Sequence, residues 1–217
     1  MIRQFGLIEV LQILHGVEAT LVLSAIAFLG GGIGGLAIAL LRTSPLRWVR
    51  AIAARYIGFF QGTPMLMQLF LAFYGLPVIG FHLNPWVAVT VGLTLHASAF
   101  LGEIWRGGIQ SVPRGQTEAA RALGLGYVSL MRDVVLPQGF RLSLAPTVGF
   151  LVQLVKGTSL ASIIGFVELS RAAQIVSSTT YKPLLAYGLA GLFYFIICFP
   201  LSRLSSRLEH HFKTTTS

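Results

Sequence analysis

The chain has 217 residues, of which 54% are hydrophobic and 11% are charged, and its formal net charge at pH 7 is +9. Ordinary soluble domains contain about 25% charged residues, more than twice the fraction found here, and the mean hydropathy of this chain is +0.76. These values exclude a soluble globular protein and indicate a polytopic membrane protein.

Long apolar segments separate the charged residues along the chain. Each is close to, or longer than, the ~20 residues that an α-helix needs to cross the hydrocarbon core of a bilayer. They are continuously apolar, whereas the strands of a membrane barrel alternate in polarity over ~10 residues. We therefore predict an all-α fold with a single transmembrane domain over residues 1–217 and five spans, at 19–41, 56–80, 85–105, 142–167 and 183–203.

The basic residues are concentrated after the first, third and fifth predicted spans. They are Arg42, Arg47, Arg50 and Arg55, then Arg106, Arg114, Arg121, Arg132 and Arg141, and finally Arg203, Arg207 and Lys213. The positive-inside rule places such regions in the cytoplasm, which gives an external N-terminus and an internal C-terminus. A charge of +9 would suggest nucleic-acid binding in a soluble chain, but this distribution makes it a topology signal.

The N-terminal segment and the first span have different patterns. Residues 1–18 have a spacing compatible with a short amphipathic helix on the outer membrane surface or with an ordinary lead-in. The first span contains the pairs Gly30/Gly34 and Gly31/Gly35, which favour close helix packing. A phosphate-binding loop would need a preceding strand and a following Lys, and the sequence has neither.

Polar residues interrupt the second and third spans. The segment Gln61-Gly62-Thr63-Pro64 predicts a break in the helix, which is either a simple kink or part of a transport pathway. Glu103 lies three residues before Arg106, so it forms either an i,i+3 ion pair or a functional site. His96 is interpreted as a neutral, hydrogen-bonded packing residue rather than a ligand.

The segment from residue 113 to 137 is a charged, glycine-punctuated region between two spans. Residues 116–123 predict a short helix in which Ala119, Ala120 and Ala122 offer a low surface. Gly124 and Gly126 predict a turn, followed by a second helix that Pro137 ends. Such a helix-turn-helix can read DNA, but a membrane tether and the balancing acidic side chains favour a protein partner.

The fourth span is interrupted at Lys156-Gly157-Thr158-Ser159. Lys156 lies about 22 Å along a helix from Arg141, well inside a ~30 Å hydrocarbon core. We expect an unwound segment here, of the kind that builds transport sites. The alternative is that the Lys156 side chain snorkels to the outer interface.

The chain lacks the sequence motifs of several enzyme classes. It has no G-x-x-x-x-G-K-[ST] for an ATPase, no H-E-x-x-H, no Cys/His metal set and no G-x-S-x-G. We therefore expect that it is not an enzyme and binds no metal. An odd number of spans does not divide into two equal inverted halves, which argues against a secondary transporter. A small five-span subunit encloses little cavity by itself, so the chain should assemble as a dimer.

One spacing in the charged region is specific. Glu118-Ala119-Ala120 is followed by three residues, Gly124, nine residues and then Val134-x-Leu136-Pro137. This pattern resembles the EAA motif of ATP-binding-cassette (ABC) importer permeases. The resemblance extends over residues 18–209 and points to the polar-amino-acid branch, the histidine/glutamine/arginine type, through Gly62-Thr63-Pro64, Glu103 to Gln110, Leu136-Pro137-Gln138 and Lys156 to Leu160.

The resemblance implies a type I importer fold and a defined set of partners. These are a second permease subunit (identical or different), two cytoplasmic ATPases that hold ATP and Mg²⁺, an external substrate-binding protein and membrane lipid. This chain would bind no cofactor and no nucleic acid, and it would lie in the bacterial inner (cytoplasmic) membrane. The motif would be a coupling helix that docks on the ATPase through Glu118, Ala119, Ala120, Gly124, Leu136 and Pro137.

The candidate translocation residues are Gln61, Gly62, Thr63, Pro64, Glu103, Lys156, Thr158 and Ser159. Related permeases often have Arg where Gln61 stands and Asp where Gly157 stands, so the resemblance names no particular amino acid. It also leaves open that the chain is a non-translocating structural partner in an ABC hetero-pair. A DNA-linked membrane regulator would additionally require salt-dependent DNA binding.

Overall fold

The computed structural model describes residues 4–78, 80–81 and 83–213. Arg3 and Ile79, which belong to the predicted N-terminal segment and second span, lie outside the described residues. The described residues form eight helices: α1 (Leu7–Thr43), α2 (Arg47–Gly62), α3 (Met65–Val78), α4 (Pro85–Gln110), α5 (Arg114–Ala122), α6 (Tyr127–Ile164), α7 (Leu169–Thr180) and α8 (Pro183–Lys213).

Four of these helices, α1, α4, α6 and α8, are long and apolar enough to cross a membrane. α3 is a shorter apolar helix and forms the outer part of the predicted second span. Since each residue adds 1.5 Å, the 38 residues of α6 extend about 57 Å, which exceeds a ~30 Å hydrocarbon core. The all-α architecture predicted from the apolar segments is confirmed.

α1 is one continuous helix of 37 residues, so residues 7–18 form neither of the two expected structures, a separate surface helix or a plain lead-in, but the first turns of the helix that contains the predicted first span. The helix begins where the Glu9 carboxylate accepts a hydrogen bond from the Gly6 backbone N–H, at 2.9 Å. Ile13 is completely buried and belongs to a cluster formed with residues of α7 and α8. Tertiary packing therefore extends the helix beyond the apolar stretch that marks the span.

The glycine pairs of the first span pack α1 against α4, as predicted. A Cβ atom added at Gly35 would lie 2.9 Å from the Cβ of Leu101, and one at Gly34 would lie 2.8 Å from the Cβ of Ser98. Such distances are shorter than real carbon contacts, so only glycine allows the two backbones to approach this closely. The main apolar core lies along this contact, with Leu23, Leu93 and Leu101 fully buried.

The predicted break at the start of the second span separates α2 from α3. Thr63 has φ −118° and ψ 142°, the extended conformation that a following proline imposes. Helical structure starts at Arg47, nine residues before the predicted boundary at residue 56, because the basic segment is also helical.

The prediction that Pro137 ends a helix is wrong. α6 runs through this position, with a π-helical turn at Leu130–Val135 immediately before it. A π turn widens the backbone by one residue, and this accommodates a proline that lacks an N–H. The Gln138 side chain donates a hydrogen bond to the Val134 carbonyl, at 2.9 Å.

The fourth span is not unwound at Lys156-Gly157, which corrects a second prediction. The α-helical part of α6 ends at Gly157 and continues as a 3₁₀ helix over Thr158–Ile164. Gly165, with φ 85°, then ends α6 in the left-handed conformation. The segment between the fourth and fifth predicted spans contains α7, whose Ala172, Ala173 and Val176 are fully buried.

Candidate functional site

α5 and the turn after it form the predicted docking element, on the charged side of the bundle. Gly124 adopts φ 79°, which L-residues with side chains rarely tolerate. The Gly124 N–H bonds the Arg121 carbonyl at 2.9 Å, and the Leu125 N–H bonds the Ala120 carbonyl at 3.1 Å. These bonds satisfy the helix C-terminus and reverse the chain, as predicted from the glycine.

The three alanines of α5 have different environments. Ala120 is 4% exposed and packs in a cluster with Val112, Leu130 and Val135. It therefore anchors α5 to the bundle, which corrects the prediction that it lies on the docking surface. Ala119 and Ala122 are exposed, together with Glu118.

Sequence reasoning missed the apolar tip of this element. Leu123 is 83% exposed, and Tyr127 and Val128 at the start of α6 are also exposed. Large apolar side chains grouped at an exposed turn mark a protein contact surface. The signal in the sequence was a large apolar residue, Leu123, placed directly before the glycine turn at the C-terminal end of the short helix.

The last two predicted docking residues, Leu136 and Pro137, belong to α6. Leu136 is half-buried and Pro137 is exposed. They lie past the π turn and are separated from the exposed tip by more than two helical turns of sequence. This position suits a structural role in α6 rather than a contact at the exposed tip.

Glu103 forms the ion pair predicted from its spacing. Its carboxylate accepts a hydrogen bond from Arg106 Nε at 2.8 Å, and a second Arg106 nitrogen donates to Gln110. Glu103 also lines a cavity of about 540 Å³ between α4, α6 and α8, together with Gly107, Leu142 and Ser205. Glu103 therefore lines this cavity, and Arg106 of the same helix balances its charge.

A buried polar chain crosses from the α2–α3 break to α4, and sequence reasoning missed its central residue, Gln68. Its Nε2 donates to the carbonyls of Phe60 at 2.8 Å and Thr63 at 3.0 Å, which the break frees from helical bonding. Its Oε1 lies 2.8 Å from His96 Nδ1. An amide oxygen only accepts, so this nitrogen of His96 carries the proton.

His96 is thus a buried, hydrogen-bonded packing residue, as predicted, and it stacks on Phe100 with ring centroids 4.4 Å apart. Gln61 and Gly62 are exposed, and Thr63 donates its hydroxyl to the Phe59 carbonyl at 2.7 Å. The signal for Gln68 in the sequence was a single amide inside an otherwise apolar stretch.

The two interrupted segments meet in the fold. A Cβ atom at Gly157 would lie 3.0 Å from the Sδ and Cε atoms of Met65, which directly follows Pro64. The hydroxyls of Thr158 and Ser159 donate to the Val155 and Lys156 carbonyls, each at 2.7 Å. Thr158 is fully buried, Ser159 is half-buried and Lys156 is exposed.

Glu168 is a fully buried acid at a point where α7, α8 and α1 meet. Its carboxylate accepts backbone N–H bonds from Ser170 at 2.9 Å and Arg171 at 2.8 Å, which cap the N-terminus of α7. The Tyr194 hydroxyl of α8 donates to the same carboxylate at 2.8 Å, and the Leu169 N–H bonds Thr20 of α1 at 3.2 Å. Burial raises the pKa of Glu168, against the opposing effect of these hydrogen bonds.

Comparison with known proteins identifies the family to which this chain belongs. Residues 31–214 match the family described as binding-protein-dependent transport system inner membrane component. The chain is 38% identical over 186 residues to the probable amino-acid ABC transporter permease protein YckA of Bacillus subtilis, covering 86% of this chain and 82% of that protein. It is 36% identical over 203 residues to the probable glutamine ABC transporter permease protein GlnM of the same organism, covering 90% and 93%.

A solved structure described as an amino acid ABC transporter with histidines superposes with a TM-score of 0.87 at 34% sequence identity. The alignment covers 92% of this chain and 94% of that chain. Together with the family match, this agreement over nearly the whole length confirms the type I ABC importer permease fold. The chain therefore belongs to the family of binding-protein-dependent transport system inner membrane components, and its relatives there are amino-acid ABC transporter permeases.

Proposed function

We propose that this chain is the permease subunit of an ATP-driven amino acid importer in the inner (cytoplasmic) membrane, and that its substrate is a polar amino acid. The observation that supports this most is the docking element: a short helix with an exposed apolar tip at Leu123, held by the Gly124 turn. A chain with this element and without an ATPase motif requires a separate ATPase. The basic loops on the same side support a cytoplasmic location for the element.

The proposed mechanism is alternating access driven from outside the membrane domain. An external binding protein delivers the substrate, and ATP closes a pair of cytoplasmic ATPases that hold the nucleotide and Mg²⁺. α6 is the mechanical link in this proposal, because it begins at the docking tip and continues to the 3₁₀ segment. A movement at Tyr127 would reach Gly157, where the chain contacts Met65 beside the α2–α3 break.

The proposed translocation surface combines the two interrupted segments. Gln61 and Gly62 on one segment and Lys156 on the other are exposed on this subunit, and a second permease subunit would complete the cavity. Lys156 offers one cation to a substrate carboxylate. Gln61 and Gly157 are uncharged at positions where related permeases often carry Arg and Asp. The subunit is therefore suited to a small zwitterionic substrate.

The experiment is uptake by the complex reconstituted in vesicles with its ATPase and binding protein, supplied with a panel of polar amino acids. We expect ATP-dependent uptake of at least one of them and a raised KM for Lys156→Ala with unchanged ATPase association. A complex that hydrolyses ATP but moves none of the panel would instead make this chain a non-translocating structural partner.

A further inference from the structure

An apolar groove runs along the bundle surface between α1, α4 and α6. It has a volume of about 550 Å³ and is lined mainly by apolar side chains, including Phe28, Ile33, Leu36, Trp105 and Phe140. Ile33 is 78% exposed. On a membrane-facing surface, such a groove accommodates a flexible apolar chain.

The length of the groove matches one leaflet of a bilayer. Its wall follows α1 from Phe28 to Leu40, a distance of about 18 Å at 1.5 Å per residue. Half of the hydrocarbon core of a bilayer is about 15 Å thick. The groove therefore fits one acyl chain of a single leaflet.

The groove continues into two smaller hollows at the basic end of α1. The first hollow shares Leu40 and Leu136 with the groove. The second hollow shares Thr43 with the first and adds Arg42 and Arg50. An apolar channel thus opens into a polar, basic mouth at the end of α1 that carries the predicted cytoplasmic arginines.

The mouth contains an unsatisfied donor. Arg42 Nε is buried and lacks a hydrogen-bond partner within the described part of the chain. Arg50 donates to the carbonyls of Ser44 at 2.8 Å and Pro45 at 3.0 Å, which holds the connecting loop in place. A buried unpaired donor on a cation is costly, and an anionic oxygen at the mouth would remove that cost.

The charge around the mouth is predominantly positive. Arg132 lines the first hollow, and its Nε lies 3.9 Å from the carboxylate of its neighbour Asp133. Among the described residues that line the groove and both hollows, none is Asp or Glu. Basic pockets between membrane helices on the cytoplasmic side select anionic lipid headgroups.

We propose that this groove and its mouth form a binding site for one anionic phospholipid of the inner leaflet. One acyl chain lies along α1 from Leu40 toward Phe28, and the phosphate accepts hydrogen bonds from Arg42 at the mouth. Apolar length, charge and the unpaired guanidinium nitrogen all favour this occupant over a protein segment. The groove lies on the outer wall of α1, separate from the substrate pathway proposed above, and its mouth adjoins the apolar tip because Tyr127 lines both hollows.

Native mass spectrometry of the full chain tests this site with two probes, phosphatidylglycerol and phosphatidylcholine carrying identical acyl chains. We expect one retained phosphatidylglycerol per chain and about fivefold weaker retention of phosphatidylcholine. Arg42→Gln should remove this preference, and Arg42→Lys should retain part of it. Arg207→Gln changes an exposed arginine at the same end of the molecule, outside the groove, and should leave retention unchanged.

A second variant keeps the test valid if Arg42→Gln fails to fold. A Cβ atom at Gly32 would lie 3.7 Å from Trp105, an ordinary contact, so a side chain can start there without a clash, and the methyl groups of Gly32→Leu should occupy the groove. It should weaken retention of both lipids.

Four results would overturn the proposal. The first is equal retention of the two lipids by the native chain, and the second is unchanged retention in both Arg42→Gln and Gly32→Leu. The third is displacement of phosphatidylglycerol by inorganic phosphate alone, which would identify a free-phosphate site. Loss of ATPase capture by Arg42→Gln with normal lipid retention would assign the mouth to a protein interface and also contradict the lipid site.

Discussion

At the scale of single residues, the docking turn depends on one backbone conformation. Gly124 has φ 79°, and its position has open space around a hypothetical Cβ. The requirement for glycine is therefore conformational and not a matter of crowding. A residue with a side chain would strain the turn that orients Leu123.

Gly124→Ala should lower the free energy of unfolding of the turn by about 1–2 kcal/mol, the cost of a left-handed L-residue. Hydrogen exchange over residues 119–127 measures this local opening. Gly115→Ala is the matched control, because Gly115 is helical and also has open space around it. Equal exchange in both variants would show that the turn does not need glycine.

The raised pKa of Glu168 predicts how the stability of the chain depends on pH. Its pKa is raised by burial, so the folded chain binds the proton more tightly than the unfolded chain does. The free energy of unfolding therefore falls as pH rises from the ordinary glutamate pKa through the raised folded value. Glu168→Gln cannot titrate, and its amide still accepts one backbone N–H bond.

The expected result is that the thermal midpoint of Glu168→Gln in detergent changes less than that of the native chain from acid to neutral pH. Glu18→Gln alters an exposed glutamate and should follow the native profile. Parallel profiles for Glu168→Gln and the native chain would mean that Glu168 does not set the pH dependence.

At the scale of elements, the contact between α1 and α4 is a close helix pairing supported by glycines. A Cβ atom at Gly35 would meet the Leu101 Cβ at 2.9 Å and the Gly102 backbone nitrogen at 3.1 Å. Neither atom can move without shifting α4. The pairing should therefore be intolerant even of a methyl group.

Gly35→Ala should destabilise the chain by about 1–3 kcal/mol through overpacking, seen as a lower thermal midpoint in detergent. Gly58→Ala in α2 has open space around its Cβ and should be neutral or slightly stabilising, since alanine favours a helix over glycine. A Gly35→Ala chain as stable as Gly58→Ala would rule out close packing at this site.

The features that could be predicted from the sequence are those that neighbouring residues determine. The glycine pairs, the Gly124 turn, the Glu103–Arg106 pair and the break before Pro64 each depend on residues within a few positions of one another. The motif spacing also identified the family. Such features are set by backbone sterics and short-range charge pairing, which the sequence displays directly.

Elements that depend on distant contacts were mispredicted. Residues 7–18 belong to α1 because Ile13 is buried against α7 and α8. Pro137 lies within α6 because a π turn absorbs it. The roles of Gln68 and Glu168 depend on their hydrogen bonds to His96 and Tyr194, which only the fold brings close to them.

At the scale of the whole molecule, one long helix connects the docking tip with the membrane interior. α6 begins at Tyr127 and ends with the 3₁₀ segment that follows Gly157. Ala120 locks α5 onto the start of this helix through a buried cluster. A force applied at the tip is therefore transmitted to the bundle, and the partner ATPase is expected to apply it there.

The most direct test is ATPase capture and ATP-driven uptake by the reconstituted complex carrying Leu123→Asp. Leu123 is 83% exposed, so the variant should fold normally yet lose about tenfold or more in ATPase affinity and lose uptake. Leu184→Asp, at an 87% exposed leucine on the predicted external side, should retain both. Native capture and uptake by Leu123→Asp would contradict coupling through this element.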